Sequence, residues 1–334
     1  MSGKLGVAIV AFNSADVILE CLDSLFHSDA AEALRVVVTD NRSTDDTRDA
    51  ILAWAKAASI DIRTARIGEI SGELAPLTLL LSDVNGGYAY GVNAGISFLR
   101  PHQDIVGYWV LNPDSMVPAE TPGRLLARLQ AGPEAMLSSR CRFFEAPELI
   151  QTDGGRVSRW TGLCRSVHAR TPAAGTPLPD PATLDYVTGA NIVVPRSVVD
   201  RIGLMPEDYF LYYEEVDWAF HRGDIPIALV PDADIYHRGG TSIGSATHKQ
   251  QASPLSHYFN QRNRVRFVRR HFPGRVPVAI AWGLAKAVQV LLKAGLAPAW
   301  AVAAGTLGLG PPRSVSDRIA DPAARALAFG ARRA

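Results

Sequence analysis

Cysteine is scarce in this chain. Only Cys21, Cys141 and Cys164 occur among 334 residues, and no two of them have CxxC spacing. An odd number of cysteines without paired spacing argues against both a disulfide framework and a zinc site. The sequence therefore predicts reduced thiols and a cytoplasmic location.

An excess of charge of one sign is also missing. The chain has 34 Lys and Arg against 33 Asp and Glu, which gives a net charge of +1. Nucleic-acid-binding proteins typically have a strong basic excess, so we expect no nucleic-acid partner. The hydrophobic fraction of 47% is sufficient for an ordinary globular core.

Long unbroken apolar runs are absent. The N-terminus passes directly into a strand-like segment, which predicts no cleavable signal peptide. The longest uncharged run, 294–312, contains prolines and glycines, which argues against a transmembrane helix. Together with the basic segment 262–270, it predicts amphipathic helices in peripheral contact with the inner face of the cell membrane or packed on a partner. A helical subdomain that closes the fold is an equal alternative.

The GxGxxG fingerprint of dinucleotide-binding proteins is missing as well. Gly86, Gly87 and Gly91 have the wrong spacing for it. The segment 83–95 nevertheless contains four glycines and runs into a helical pattern. Such a turn permits close approach of the backbone to a ligand.

Short apolar runs alternate with helical patterns in the first part of the chain. Strand-like runs occur at 7–12, 35–40, 60–67, 77–82 and 106–111. This alternation predicts an α/β fold with a mostly parallel, Rossmann-like sheet and helices on both faces. Ligands of such sheets bind at the carboxyl ends of the strands.

Two later segments contain candidate chemical groups. The last of these strands leads into Asn112-Pro-Asp114, where a carboxylate suits a hard divalent cation, although an isolated motif of this kind is more often a solvated turn. The run 210–221 places Glu214, Glu215 and Asp217 among aromatic residues. Desolvation raises a carboxylate pKa and favours a general base, whereas a helix N-terminus with complementary acids is the structural alternative.

Taken in order, five segments resemble the family 2 glycosyltransferases of GT-A type, most closely their rhamnosyltransferase-like branch. The resemblance extends from residue 7 to about residue 272. The segments are Ala11-Phe-Asn13, Asp40-Asn-Arg-Ser-Thr-Asp45, the glycine-rich stretch 85–95, Asn112-Pro-Asp114, and Glu214-Glu-Val-Asp217 followed by His237.

The resemblance implies a domain organisation. Residues 1–250 would form a GT-A catalytic domain, with a nucleotide-sugar-binding half at about 1–115 and an acceptor-binding half at 116–250. Within the second half, the glycines and prolines of residues 138–181 predict a hairpin-bearing insertion. The composition of residues 251–334 predicts a C-terminal helical extension, which either contacts the membrane or closes the fold.

The resemblance also implies residue roles. Glu215 would be the catalytic base, with Glu214 as the fallback and Asp217 in support, and a divalent Mg or Mn ion would be held by Asp114 and His237. The residues expected to contact the nucleotide and donor sugar are Phe12, Asn13, Asp40, Asn41, Asn85, Gly87, Gly91, Asn93, Asn112 and Arg262. Those expected to contact the acceptor are Thr188, Gly189, Ala190, Asn191 and Trp218.

Two positions depart from the family pattern. Asn112 replaces the first acid of the metal-binding DXD motif, and Glu215 stands where relatives usually have Asp. The resemblance favours dTDP-L-rhamnose as the donor of an inverting transfer, with UDP-galactofuranose, UDP-hexoses and GDP-sugars as alternatives. The expected acceptor is a saccharide or a lipid-linked saccharide of polysaccharide biosynthesis in the cell envelope.

Two rival interpretations remain at this point. A non-catalytic carbohydrate-binding or scaffold protein on the same fold would tolerate Asn112 and Glu215. A nucleotidyltransferase would require a basic phosphate-binding loop after the first strand, and residues 11–16 contain no Lys or Arg.

Overall fold

The computed structural model describes residues 3–69, 72–239 and 252–330. Its main feature is an eight-stranded sheet with the order β13-β7-β12-β5-β1-β2-β4-β3. The strands of this sheet are β1 (Lys4–Ala11), β2 (Leu34–Asp40), β3 (Ile62–Arg66), β4 (Leu77–Leu81), β5 (Ile105–Leu111), β7 (Met136–Ser138), β12 (Asn191–Pro195) and β13 (Ile227–Leu229).

The five strands β5-β1-β2-β4-β3 are parallel to one another. β12 pairs with β5 in the antiparallel direction and connects the parallel part to β7 and β13. The mostly parallel α/β sheet expected from the alternating sequence pattern is therefore confirmed.

Both faces of the sheet are covered, as expected from the continuous apolar runs. Along β1, Val7 and Ile9 belong to one hydrophobic cluster, whereas Ala8 and Val10 belong to the other. This alternation follows from the two-residue period of a strand.

Helices connect and cover these strands. Their bounds are α1 (Ile18–Phe26), α2 (Thr47–Ala57), α3 (Tyr88–Leu99), α4 (Thr121–Ala131), α5 (Arg196–Ile202), α6 (Glu214–Phe220), α7 (Pro254–His271), α8 (Val276–Ala294), α9 (Leu296–Leu307), α10 (Arg313–Ser316) and α11 (Pro322–Phe329).

Two smaller sheets lie beside the main one. The first has the order β6-β14-β8-β9, and the second is the antiparallel hairpin of β10 and β11. Their strands are β6 (Ser115–Met116), β8 (Cys141–Phe143), β9 (Ile150–Thr152), β10 (Gly155–Val157), β11 (Cys164–Ser166) and β14 (Ile235–His237). The segment 138–181 contains the β10–β11 hairpin, where sequence analysis expected a hairpin-bearing insertion.

The C-terminal region is helical, as expected. The long uncharged run is divided by Gly295 and Gly308, which both adopt positive φ at the ends of α9. One helical stretch, Pro273–Ala294, is long and apolar enough to cross a membrane by length and composition alone. This stretch precedes residues 294–312, the run whose prolines and glycines argued against a transmembrane helix.

Candidate active site

A cleft of about 620 Å³ opens at the carboxyl ends of β1, β2 and β5. Phe12 follows the first of these strands, Asn41 the second and Asn112 the third. The predicted site residues that line this cleft are Phe12, Asn13, Asn41, Asn85, Gly87, Asn112, Asp114, Thr188, Gly189, Ala190, Glu214, Glu215 and His237.

Asparagine side chains organise one end of the cleft. The Asn41 amide donates to the Gly87 carbonyl at 2.9 Å and to Asn85 Oδ1 at 3.1 Å. Asn13 Oδ1 accepts from the Thr44 backbone N–H at 2.8 Å. These bonds join the loops after β1, β2 and β4 into one wall.

Asp40 lies outside the cleft lining. Its carboxylate is fully buried and accepts from Arg48 Nε at 2.5 Å and from the Ser43 N–H at 3.2 Å. The structure therefore places Asp40 as a support for the turn that carries Asn41. The helix that follows this turn, α2, begins at Thr47.

The glycines of the segment 83–95 have different surroundings. Gly87 has φ of +94°, and a Cβ there would lie 2.3 Å from the Phe210 carbonyl oxygen, so this position requires glycine. Gly91 packs directly on Val10, which lets α3 approach β1 closely. Asn93 is buried and bonds to Met205 and Glu207, away from the cleft.

Three polar side chains meet in the middle of the cleft. His237 Nε2 lies 3.1 Å from Asp114 Oδ1 and 3.0 Å from the Asn112 amide. His237 Nδ1 contacts Gln151 Oε1 at 2.7 Å, and the Gly239 N–H donates to Asp114 Oδ2 at 3.0 Å. Residues separated by more than 100 positions in the sequence thus form one cluster.

The charges in this cluster stabilise each other. Burial disfavours the imidazolium, but the adjacent Asp114 carboxylate raises the pKa of His237 to about 10. Burial likewise opposes ionisation of Asp114, but His237 and the Gly239 amide hold its pKa below the ordinary value. The pair is therefore an imidazolium–carboxylate pair when no cation replaces the proton.

The cluster fits a divalent cation as a partial set of ligands. It offers one carboxylate and one imidazole nitrogen, with the Asn112 amide nitrogen beside them, and no group of three His, Cys, Asp or Glu ligands occurs in the described part of the chain. Mg²⁺ and similar ions are commonly held by one or two protein ligands together with substrate phosphate oxygens. Ligation through His237 requires its proton to leave.

Glu214 and Glu215 begin α6 and both line the cleft. Glu214 is 3% exposed, and its Oε2 has no hydrogen-bond partner in the described part of the chain. Burial and the neighbouring Glu215 carboxylate raise the pKa of Glu214 well above its ordinary value. Desolvation also raises the pKa of Glu215, which is half-buried.

Asp217 and Trp218 lie away from the cleft lining. Asp217 is fully buried and pairs with Arg270 and His271 on α7. Trp218 is fully buried too, and its Nε1 donates to the Gly203 carbonyl at 3.0 Å. Both residues fix α6 in place, and neither lines the cleft.

Two further residues that were expected to contact ligands, Asn191 and Arg262, also make structural contacts outside the cleft lining. Asn191, in β12, accepts from Trp109 Nε1 at 2.8 Å inside the core. Arg262 donates to the carbonyls of Ala328 and Tyr209 at 2.6 and 3.0 Å, so its guanidinium joins α7 to α11 and to the loop before α6.

That loop, residues 207–213, has unusual backbone geometry. Phe210, Tyr212 and Tyr213 all have positive φ, which is costly for aromatic residues. The Asn263 amide donates to the carbonyls of Tyr209, Leu211 and Tyr212 at 2.6–3.1 Å and holds the loop in this conformation. The strained loop positions the N-terminus of α6 and hence both glutamates.

Several cleft residues were missed by sequence analysis. Tyr88 donates to the Gly189 carbonyl at 2.7 Å and to Asn112 Oδ1 at 3.0 Å, and burial with the nearby Glu214, Glu215 and Asp114 carboxylates raises its pKa. Arg42 and the C-terminal residues Arg318 and Asp321 also line the cleft. Tyr88 follows the glycine pair directly, a position that could have identified it, whereas the return of the C-terminus depends on tertiary docking.

Comparison with known proteins identifies the family. The model of glycosyl transferase family 2 matches residues 6–202. The low-salt glycan biosynthesis hexosyltransferase Agl10 of Haloferax volcanii is 27% identical over 157 residues, which are 46% of this chain and 49% of the relative. The chain thus spans about half the length of the curated relative it matches.

Three solved structures resemble the fold. The mannosyltransferase PcManGT of Pyrobaculum calidifontis, solved with GDP-Man and Mn²⁺, has a TM-score of 0.52 at 18% identity, over 98% of this chain and 81% of that one. S. aureus TarS 1–349 has a TM-score of 0.52 at 15% identity, over 95% and 82%. GalNAc-T7, solved with UDP, GalNAc and Mn²⁺, has a TM-score of 0.58 at 13% identity, over 80% and 48%.

At these identities the structural likeness establishes the fold alone, and that fold is the expected GT-A type. The family model, in contrast, covers more than half of the chain, from β1 to the end of α5. The chain belongs to glycosyltransferase family 2.

Proposed function

We propose that this protein transfers a sugar from a nucleoside-diphosphate donor to a saccharide acceptor with inversion at the anomeric carbon. One observation supports this most strongly: the Asn112–Asp114–His237 cluster and the two glutamates of α6 line the same cleft. Sequence motifs that are more than 100 residues apart thus converge where such a reaction would need them.

The transfer would proceed in one displacement. An acceptor hydroxyl oxygen bonds to the anomeric carbon, its proton passes to the Glu215 carboxylate, and the bond from the anomeric carbon to the phosphate oxygen breaks. The electron pair leaves with the nucleoside diphosphate. A positioned general base contributes about 10²–10⁴-fold to such a rate.

Glu215 is the better candidate for the base because it is half-buried and accessible from the cleft. Its raised pKa makes the carboxylate a stronger base than an ordinary glutamate. Glu214 is almost fully buried, which suits a supporting role.

Asp114 and His237 would hold a divalent cation, Mg or Mn. Such an ion neutralises charge that develops on a leaving diphosphate. Tyr88 orients Asn112 through its hydroxyl, and Gln151 orients His237 through Nδ1. The contact with Gln151 leaves His237 Nε2 beside the Asp114 carboxylate, where both candidate ligands could reach one ion.

The donor we propose is dTDP-L-rhamnose, with UDP-galactofuranose, UDP-hexoses and GDP-sugars as alternatives. The similar hexosyltransferase of Haloferax volcanii and the fold neighbour solved with GDP-Man support a nucleotide-sugar donor without distinguishing among them. The asparagine-rich end of the cleft, with Asn13, Asn41 and Asn85, offers donors and acceptors for a base and a ribose.

We place the acceptor at a membrane surface. Within the described residues, nine of the eleven exposed large hydrophobic side chains lie between Val278 and Leu309, on α8, α9 and the turn after them. An apolar surface of this kind, flanked by the exposed Lys293 and Arg275, suits peripheral contact with an anionic bilayer. A lipid-linked saccharide is the acceptor class that such a location would supply.

A screen of nucleotide sugars with and without Mn²⁺ tests this function. We expect one donor to be hydrolysed or transferred in a metal-dependent manner, and Glu215→Gln to lose nearly all turnover while it keeps nucleotide affinity. Asp114→Ala should lose the metal dependence of nucleotide binding. Sugar binding without turnover of any donor would instead favour a carbohydrate-binding protein, and full turnover in Glu215→Gln would exclude Glu215 as the base.

A further inference from the structure

A second cavity, of about 380 Å³, shares Glu215 with the cleft. It is formed by β11, α7, α8 and the residues around Tyr186. We propose that this cavity is the acceptor site and that it takes a saccharide bearing an anionic group such as a phosphate. The proposal rests on the proposed function and adds to it the place and the chemical class of the acceptor.

Glu215 connects the two spaces. Tyr212 and Glu215 are the residues that line both the cleft and the second cavity, whereas Glu214 lines the cleft alone. A general base must lie within hydrogen-bond reach of the hydroxyl that it deprotonates. An acceptor in the second cavity would present a hydroxyl to Glu215, while the donor would occupy the cleft that Glu215 also lines.

The lining of the second cavity suits a sugar. Trp282 and Tyr186 contribute aromatic rings, with the Arg264 guanidinium 4.8 Å from the centre of the Trp282 ring, and Asn260 and Gln261 contribute amides. The side chains of Asn260 and His257 have no hydrogen-bond partner within residues 3–69, 72–239 and 252–330. Aromatic walls with a few free polar groups are typical of small-molecule sites.

The charge of the lining indicates an anion. Lys286 and Arg264 are its cationic residues, and Glu215 is its one acid among the described residues. Arg264 is buried and donates to Gln261, Thr161 and Ala279, so it is held in place. Lys286 pairs with no carboxylate in the described part of the chain and donates to Gln289 Oε1 at 2.7 Å. A phosphate would supply the missing counter-charge.

Most of this site lies beyond the residues that the family model matches. Asn260, Arg264, Trp282 and Lys286 all follow residue 202. The helices α7 and α8 that carry them therefore supply the acceptor preference of this chain, while the matched region supplies the nucleotide-binding end.

Saturation-transfer NMR on the full chain tests the proposal with defined probes. The probes are the 1-phosphates of glucose, galactose, mannose and N-acetylglucosamine, each compared with its methyl glycoside. We expect wild type to bind at least one 1-phosphate more tightly than the matching methyl glycoside. Trp282→Ala should weaken both about tenfold, the loss of one well-packed aromatic contact. Lys286→Gln should remove the preference for the phosphate.

Trp160→Ala is the matched control, because Trp160 is exposed on the β10–β11 hairpin, stacks on Arg275 and lines neither space. It should bind all probes like wild type. Nucleoside-diphosphate affinity, measured by calorimetry on every variant, reports whether the fold and the cleft are intact, and Asn260→Leu replaces Trp282→Ala if that variant does not fold.

The outcomes separate the two proposals. Wild type that binds no nucleoside diphosphate counts against the proposed function. Intact nucleotide binding combined with no probe binding, or with probe binding that Trp282→Ala and Asn260→Leu leave unchanged, overturns the acceptor site. If Lys286→Gln weakens the affinity for the 1-phosphate and for the methyl glycoside by the same factor, the proposed preference of the acceptor site for an anion is overturned.

Discussion

Glu214 and Glu215 are adjacent in the sequence but have different surroundings. Glu214 is enclosed with one carboxylate oxygen lacking a partner, whereas Glu215 is half-buried between the cleft and the second cavity. A buried carboxylate that lacks partners makes the folded state less stable when it is ionised. At the scale of single residues, burial thus raises the pKa of both carboxyl groups and makes their ionised forms costly to the folded state.

Replacing Glu214 by glutamine should therefore stabilise the protein at neutral pH. The folded-state pKa of Glu214 is raised above the unfolded value, so its contribution to stability is greatest below the unfolded pKa and is lost as pH rises through the folded pKa. At about pH 7, Glu214→Gln should increase the free energy of unfolding by about 1–3 kcal/mol, and at about pH 4 the difference should disappear.

Thermal melts at both pH values measure this effect. Glu148→Gln is the control, because Glu148 is exposed and should melt like wild type at each pH. A Glu214→Gln variant that is less stable than wild type at neutral pH would show that the carboxylate has a stabilising partner.

The loop 207–213 and α6 form one element whose geometry depends on contacts from elsewhere. Gly87 admits the Phe210 carbonyl, the Tyr88 N–H donates to that carbonyl at 2.9 Å, and Asn263 holds three further carbonyls. Phe210, Tyr212 and Tyr213 keep their unfavourable positive φ because these contacts together stabilise that backbone conformation.

We expect Asn263→Ala to release this loop. Loss of the amide leaves buried carbonyls without partners, which costs about 1–3 kcal/mol of stability. Turnover should fall further than nucleotide affinity, since the nucleotide end of the cleft is held by Asn13, Asn41 and Asn85 instead. Steady-state kinetics and calorimetry on the same preparation measure both effects.

Asn263→Asp is the matched variant, because it keeps the shape of the side chain and removes the N–H donors. It should resemble Asn263→Ala. Wild-type turnover and melting in both variants would mean that the loop keeps its conformation without Asn263.

The elements themselves could largely be predicted from the sequence. Apolar runs followed by polar residues identified the parallel strands and their carboxyl ends, since this pattern depends on local periodicity. Whether a given side chain faces the cleft or the core was harder to predict. Asn191 follows Ala190 in a motif expected to contact the acceptor, but alternation along β12 directs it to Trp109 in the core. Asp217 is three residues from Glu214, yet α7 supplies its partners.

At the scale of the whole molecule, the C-terminal helices supply part of the lining of both the cleft and the second cavity. α11 and the turn before it bring Arg318 and Asp321 to the cleft, where Asp321 pairs with Arg42 at 3.0 Å. α7 and α8 form the second cavity. Neither arrangement could be predicted from the sequence, because it depends on how distant helices dock and not on any local motif.

The exposed apolar surface of α8 and α9 should bind anionic membranes. Leu292 and Leu296 are 82% and 75% exposed at the turn between the two helices. We expect the protein to float with vesicles of phosphatidylglycerol and phosphatidylethanolamine at low salt, and the double variant Leu292→Asp, Leu296→Asp to lose about tenfold in bound fraction.

Leu52→Asp provides the comparison, because Leu52 is an exposed leucine on α2, in another part of the molecule. It should float like wild type. Equal flotation of the double variant, or no flotation of wild type, would contradict membrane contact through this surface.

Helix α8 carries Trp282 and Lys286 toward the second cavity and Val288 and Leu292 toward solvent. If one helix both captures the acceptor and rests on a bilayer, the enzyme searches for its acceptor in two dimensions. The turnover rate of the membrane-bound enzyme would then depend on the number of acceptor molecules per unit area of membrane. Diluting the vesicle suspension with buffer would leave that rate unchanged. A change in the lipid-to-acceptor ratio would alter it directly.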